Sequence, residues 1–522
     1  MTSSLIRGRP RRATSHISVR VVHALLGVLI GVLWLVLPGM TTEHRVPAAD
    51  GRAQAAVAQD EEGSSAADLV LPLVAVGAAV VVAGYAYVRR TRRARTRTTP
   101  GGVPAPVAAA PPLAELDEQA RLLLVAADDS VRTSREELGF VEARFGESAV
   151  VSTVLALRGA EAELRAAFRM RQQYDDGVPE EASARQHALA GIVGRCEEAG
   201  RRLDEAAAGV DQLRGLEQGA GEALGLAETR FRALTGRTQA VEALLADLTA
   251  RYGPAAVAEV TGYVEQAKDR LVFATLRLNQ ARQAGDLAAH DRAALHLRAA
   301  EGAIAQAAVF LHGVERLGTE LSGAAALVPA ALTGAEAEIA RAQRSSAAQV
   351  PVGELRARIL HADNVLAFVR DEVASGAPYD PLDALRRIVR AVAPLAAEPT
   401  AGVLGAAAAL AGRAAVAGAD DFVATHRGAV GATARTRLAE AARLLGEDPV
   451  AADALAVESR DLAEQDVRVH GNPVAGAAEH ESGGAGAVLG GILLDDGAAA
   501  SFGGPRGRGR RAQSSSSLPT DV

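Results

Sequence analysis

The stretch "VEQAKDRLVFATLRLNQA", residues 264–281, decides the fold class. Val264, Ala267, Leu271, Ala274, Leu278 and Ala281 recur at alternating steps of three and four. That period of about 3.5 puts all six on one narrow stripe of a helix, the pattern of helices that pack along their length. Outward from this stretch the same spacing returns. It runs through Leu297, Ala300, Ile304, Ala307, Leu311 and Val314, and through Leu355, Ile359, Ala362, Leu366, Val369 and Val373. It returns again through Leu382, Leu385, Val389 and Val392. Many stripe positions are alanine, which lets helix axes approach closely, and no strand pattern competes.

Short breakers divide the helical region into segments. They are "QYDDGVPEE" (173–181), "RYGPAA" (251–256), "QAGDLA" (283–288), "ALVPAAL" (326–332), "SSAAQVPVGE" (345–354), "SGAPYDPLD" (375–383) and "LGEDPVAA" (445–452). Breakers this short suit antiparallel neighbours rather than one continuous rod. Asp380 and Asp448 precede prolines in the manner of N-caps, with Pro381 and Pro449 in the first helical turn. Three junctions, at 283–288, 375–383 and 445–452, share a helix–Gly turn–helix pattern, but their intervals are irregular. They predict degenerate helical hairpins rather than a repeat array. The expected fold is all-α, an extended antiparallel helical-bundle or coiled-coil body over residues 113–470.

The N-terminal part is of another kind. Val21–Met40 and Leu69–Val88 are charge-free apolar runs of membrane-spanning length. Only a helix can cross lipid as a single span, because lipid offers its backbone no hydrogen-bond partner. Residues 1–20 carry Arg7, Arg9, Arg11, Arg12 and Arg20 with no acid. The linker 41–68 carries Glu43, Asp50, Asp60, Glu61, Glu62 and Asp68. After the second run come Arg89, Arg90, Arg92, Arg93, Arg95 and Arg97. Positive charge is retained inside, so residues 1–20 and everything after Val88 are expected in the cytoplasm, with 41–68 outside. The first run also fits a cleavable signal peptide, with small-residue sites in "VPAA" (46–49) and "AQAA" (53–56). Either reading leaves 69–88 as a membrane anchor. The six arginines would then face anionic lipid headgroups.

Residues 89–112 join the arginines to a Pro/Gly/Ala linker, and residues 471–522 form a Gly/Ser/Arg tail expected to be mostly disordered. The tail includes "GPRGRGRR" (504–511), which reads as solubilising and weakly adhesive to anions.

Composition narrows the chemistry. The net charge of −7 gives no general case for nucleic-acid binding. Cys196 is the only cysteine, so neither an intramolecular disulfide nor a cysteine zinc cluster is available. In a helical context it reads as a small core residue. Lys268 is the only lysine and follows Ala267, so no Walker-type phosphate loop exists. "GGAGAVLGG" (483–491) lacks a preceding strand and gives no dinucleotide loop. His312 and Glu315 could share a helix face and hold a metal, but solvated or capping roles suit these and the other histidines better. Asp128/Asp129, Asp175/Asp176 and Asp420/Asp421 read as turn and cap residues rather than calcium ligands. No catalytic residue, cofactor or metal site is expected.

Several stretches carry a family resemblance. They are "LAELDEQARLLLVAADDSVRTSREELGF" (113–140), "AAFRMRQQYDDGVPEE" (166–181), "RCEEAGRRLDE" (195–205), "DRLVFATLRLNQARQAGD" (269–286), "YDPLDALRRI" (379–388) and "DDFVATHRGAVGATARTRLAEA" (420–441). With the "GAVLGGILL…SFGG" tail, they resemble the C-terminal part of actinobacterial TPM-domain-containing membrane proteins. The resemblance implies a membrane helix followed by a long helical cytoplasmic region. It also implies an extracytoplasmic TPM domain, linked to phosphatase activity in some members. Here residues 41–68 are too few to bury a core, so that domain and its activity are not expected. The expected function is a non-catalytic integral membrane protein presenting a cytoplasmic helical scaffold to an unknown protein partner or to itself. The alternatives are a phosphatase-associated TPM-family subunit, or a binder of anionic lipid or nucleic acid through the arginine tracts.

Overall fold

Prolines and glycines set the helix boundaries. The computed structural model describes residues 111–216, 218–344, 352–395, 402–470 and 501–508, all within one of the chain's two units, Ala108–Val522. Pro112 directly precedes α1, Leu113–Phe145. Gly146, at φ +80°, ends α1 and opens α2, Glu147–Asp175. Next come α3, Ala182–Arg214, and α4, Gly221–Tyr252. The seam at 264–281 lies in α5, Tyr263–Asp286, which is followed by α6, His290–Arg344. The remaining helices are α7, Val352–Ala374; α8, Pro381–Val392; α9, Gly402–Thr425; α10, Ala432–Leu444; and α11, Pro449–His470. Every regular element among the described residues is helical.

The seams are buried as their spacing requires. Val264, Ala267, Leu271, Ala274, Leu278 and Ala281 are all in the core, as are Leu297 through Val314 of the second seam and all four positions in α8. In α7 only Ala362, Leu366 and Val369 are fully buried. Each of the three junctions joins helices that lie against one another: α5 on α6, α7 on α8, and α10 on α11. Both predicted caps are formed. Asp380 Oδ1 accepts from the amides of Leu382 and Asp383 at 2.9 and 3.1 Å. Asp448 Oδ1 accepts from Val450 and Ala451 at 3.1 and 3.0 Å.

Two expectations need correction. "ALVPAAL" is no break: α6 runs through Pro329 for 55 residues, about 80 Å at ~1.5 Å per residue. An interior proline removes one ladder bond and costs about 3 kcal/mol. Pro329 itself lies on the exposed side, while Val328, Ala331 and Leu332 beside it are buried, so core packing holds the helix together. The second correction concerns the tail. Ser501–Arg508 is ordered on the body, with Ser501 and Phe502 buried and a helical turn over residues 505–508.

Three packed regions result. α1, α2 and α3 bury one cluster, which also takes in Phe502. α6 is the spine of the largest cluster, covered by α4, α5, α7, α8 and α9. α9, α10 and α11 enclose a third, smaller one. Among the described residues, α9 is the one helix long and apolar enough to cross a membrane. It lies against α6, α8 and α11, and its Asp421 pairs with Arg316 of α6. The two predicted spans at 21–40 and 69–88 lie outside the described residues, as do Arg89 through Arg97.

Candidate functional site

α1 concentrates the unusual chemistry. Asp128 on one side of it, and Ser130, Thr133, Ser134 and Glu137 on the other, are all buried. Burying a charge is costly unless it is paired and hydrogen-bonded, and here the partners come from distant parts of the chain.

The first cluster joins α1 to the C-terminal helices. Arg435 of α10, whose side chain is 1% exposed, donates from Nη1 to Asp128 at 2.6 Å and to Asp129 at 2.7 Å. Its Nε and Nη2 donate to the carbonyls of Val430 and Arg427 at 3.1 and 2.5 Å. Arg427 in turn holds Glu136 through two bonds of 3.0 Å. Arg132 bridges Asp128 at 3.0 Å and Asp420 of α9 at 2.8 Å. Burial by itself pushes the Asp128 carboxyl up, but the Arg132 and Arg435 guanidiniums outweigh it and hold it below the usual carboxylate range. Asp129 goes the other way, because burial and the neighbouring Asp128 carboxylate outweigh Arg435 and Arg427.

The second cluster joins α1, α3 and α6. Arg214, at the end of α3, donates to Glu137 at 2.6 Å and to both oxygens of Glu301 at 2.7 Å. Gly215 stops α3 there in a left-handed conformation, so the chain turns away while the guanidinium stays inside. Burial raises the Glu137 carboxyl, but Arg214, Arg298 and the Phe502 amide outweigh it and lower its pKa. Glu301 stays raised, since burial and the neighbouring Glu137 outweigh its share of Arg214.

The tail segment Ser501–Arg508 seats across the Ser130, Ser134 and Glu137 side of α1 and across α3. The Phe502 amide donates to Glu137 Oε2, and the Gly503 amide donates to Ser134 Oγ at 3.2 Å. The Gly504 and Gly507 amides donate to the two oxygens of Asp204 at 2.7 and 3.2 Å. Arg506 pairs with Glu197 at 2.5 Å. Arg508 folds back onto the Ser501 carbonyl at 2.8 Å and reaches the Ser130 carbonyl at 3.1 Å. Beside the segment lies an open cleft of about 920 Å³ lined by Glu197, Glu198, Asp204, Glu205, Pro505 and Arg506, among others.

The residues that sequence reasoning singled out fare unevenly. Cys196 is buried in the core, and burial pushes its thiol up to about 12, which removes it as a nucleophile. Glu315 pairs with Arg237 at 2.6 Å, away from any metal role with His312. His426 follows the last residue of α9, stacked on Phe422 with its Nδ1 3.1 Å from the Phe422 carbonyl. Asp128, Asp129, Asp420 and Asp421 are not turn or cap residues, because all four lie within helices and pair with arginines. Asp175 is likewise the last residue of α2 and pairs with Arg171, while Asp176 forms the C-cap as expected. "GPRGRGRR" is not a free tail over 504–508, since those residues hold the contacts above. Arg214, Arg435, Glu137, Glu301 and Asp204 were not singled out. Their pairing is non-local, and the only sequence signal was that acids and arginines interrupt otherwise apolar stripes.

No family model matches the chain, and no solved structure matches it. Over 419 residues it is 32% identical to two UPF0603 proteins of Mycobacterium tuberculosis, one from each of two strains. The aligned part covers 74% of this chain but 62% of each relative, so the chain spans less than two thirds of the length of the proteins it is similar to.

Proposed function

We propose that this chain is a non-catalytic integral membrane protein whose extended antiparallel helical body is a cytoplasmic scaffold for protein–protein interaction. The observation that carries this reading is the use of its buried ionisable groups. Asp128, Glu137, Glu301, Arg214 and Arg435 are spent on one another and on fastening helices that are far apart in sequence. Groups engaged in closed ion pairs stiffen a platform rather than act on a substrate. Two other helices carry exposed apolar pairs one turn apart, Val151–Leu155 on α2 and Val272–Leu276 on α5, suited to contact with another protein. In this reading Arg89, Arg90, Arg92, Arg93, Arg95 and Arg97 hold the body near anionic lipid headgroups at the inner leaflet. In this reading the helical body is the part shared with TPM-domain-containing membrane proteins.

A photo-crosslinking residue at position 272 in the full chain, expressed in cells, tests the proposal. The expected result is a discrete protein adduct that persists in high salt and is lost on Leu276→Asp. Turnover of a generic phosphoester by the purified chain would replace this reading with the phosphatase-associated one. A salt-labile association mapping to residues 89–97 would replace it with the anion-binding one.

A further inference from the structure

The seat of the tail segment differs from an ordinary piece of core. Most of its bonding comes from main-chain amides of one short stretch, those of Phe502, Gly503, Gly504 and Gly507. One side chain, Phe502, is fully buried among the apolar residues of α1, α2 and α3. Main-chain bonds for affinity and a side-chain pocket for selectivity are the division of labour of extended-peptide recognition. Sequence is read sterically as well. Gly503 takes φ 135°, which side chains rarely adopt. A Cβ on Gly504 would stand 2.6 Å from the Gly200 Cα, and a Cβ on Gly200 would stand 2.9 Å from the Pro505 ring. Gly507 lies so close to Asp204 that a Cβ would come within 3.0 Å of its carboxyl carbon. Glu197 takes the arginine that follows the proline, and the adjoining cleft adds Glu198 and Glu205.

We propose that the groove between α1 and α3 is a peptide-recognition site for Phe-Gly-Gly-Pro-Arg-Gly segments, and that residues 501–508 are its resident, tethered ligand. The segment belongs to the same chain as the groove, so it binds there as an intramolecular ligand. A free copy of the segment must compete against that occupancy. The inference goes beyond the scaffold reading, since it holds whether or not another protein docks on α2 or α5.

The test uses the full chain in detergent micelles and a fluorescent peptide of the sequence SFGGPRGRGRR. Gly504→Ala in the full chain evicts the resident segment and leaves the groove intact. That variant should bind the peptide at least about tenfold more tightly than the parent protein, because an occupied groove lowers apparent affinity in proportion. Adding Gly200→Ala should abolish the binding, and a peptide with alanine at its second glycine should not bind either. A folded Gly504→Ala protein that ignores the peptide would overturn the proposal. So would unfolding of that variant, since the segment would then be an integral part of the core. The parent protein gives a second reading: amide exchange at 502–504 and 507 should speed up in excess unlabelled peptide. Unchanged exchange would also overturn the proposal.

Discussion

Arg435 and Asp128 stand 307 positions apart in the sequence and 2.6 Å apart in the fold. Their contact fastens the α10 end of the chain to α1, in a place where neither charge is hydrated. Removing one partner of a buried pair strands the other, at a cost of about 3–5 kcal/mol. Arg435→Met should therefore lower stability by that amount in urea denaturation followed by circular dichroism. Asp128→Asn should then add less in the Arg435→Met background than alone, because the two residues share one network. Strictly additive losses would mean the contact carries no energy.

Acid should act on the buried clusters in a definite order. Glu137 is held below the ordinary 4.5 and Asp128 below 3.8. For a depressed acid the unfolded chain takes the proton first, so the stability it contributes is full above the unfolded value and disappears as pH falls through the folded one. Glu301 has the opposite sign. Its raised pKa lets the folded protein take a proton first, so mild acidification through that pKa favours folding. Urea midpoints should thus fall steeply only below about pH 4, and Glu137→Gln should flatten that acid limb. An unchanged limb in the variant would remove Glu137 from the account of acid unfolding.

Core and surface positions of the seams should separate cleanly. Leu311 is 0% exposed and Val272 is 71% exposed. Leu311→Asp places an unpaired charge in the core around α6 and should cost several kcal/mol, whereas Val272→Asp should stay within about 0.5 kcal/mol. Equal melting temperatures for the two variants would show that the seam has been assigned to the wrong face.

Cys196 gives a chemical reading of the packing of α3. With its thiol buried and its pKa pushed up to about 12, it should resist iodoacetamide in the folded protein and react at once in denaturant. Rapid labelling without denaturant would mean that the core of α1, α2 and α3 opens readily.

The helical body was legible in sequence because its determinants are local. The three-and-four spacing from Val264 to Ala281 fixes one face of one helix, and Asp380 and Asp448 cap the residues immediately after them. What escaped sequence reading depends on partners far away. Pro329 looks like a stop until Val328, Ala331 and Leu332 are known to be held by the surrounding helices. Asp128 reads as a turn or cap residue and Glu137 carries no signal of its own, because nothing near them in sequence announces Arg435 or Arg214. Phe502 sits in a Gly-rich stretch whose composition argues against order, yet one buried ring and four amide bonds suffice to seat it.

The proposed topology puts this charge-fastened bundle on the cytoplasmic side of a membrane. A reporter enzyme that is active only outside the cytoplasm, fused directly after Pro100, measures that side. An inactive reporter, with a matching cytoplasmic reporter active at the same junction, is the predicted result. Activity of the exterior reporter at that position would contradict the orientation and the scaffold built on it.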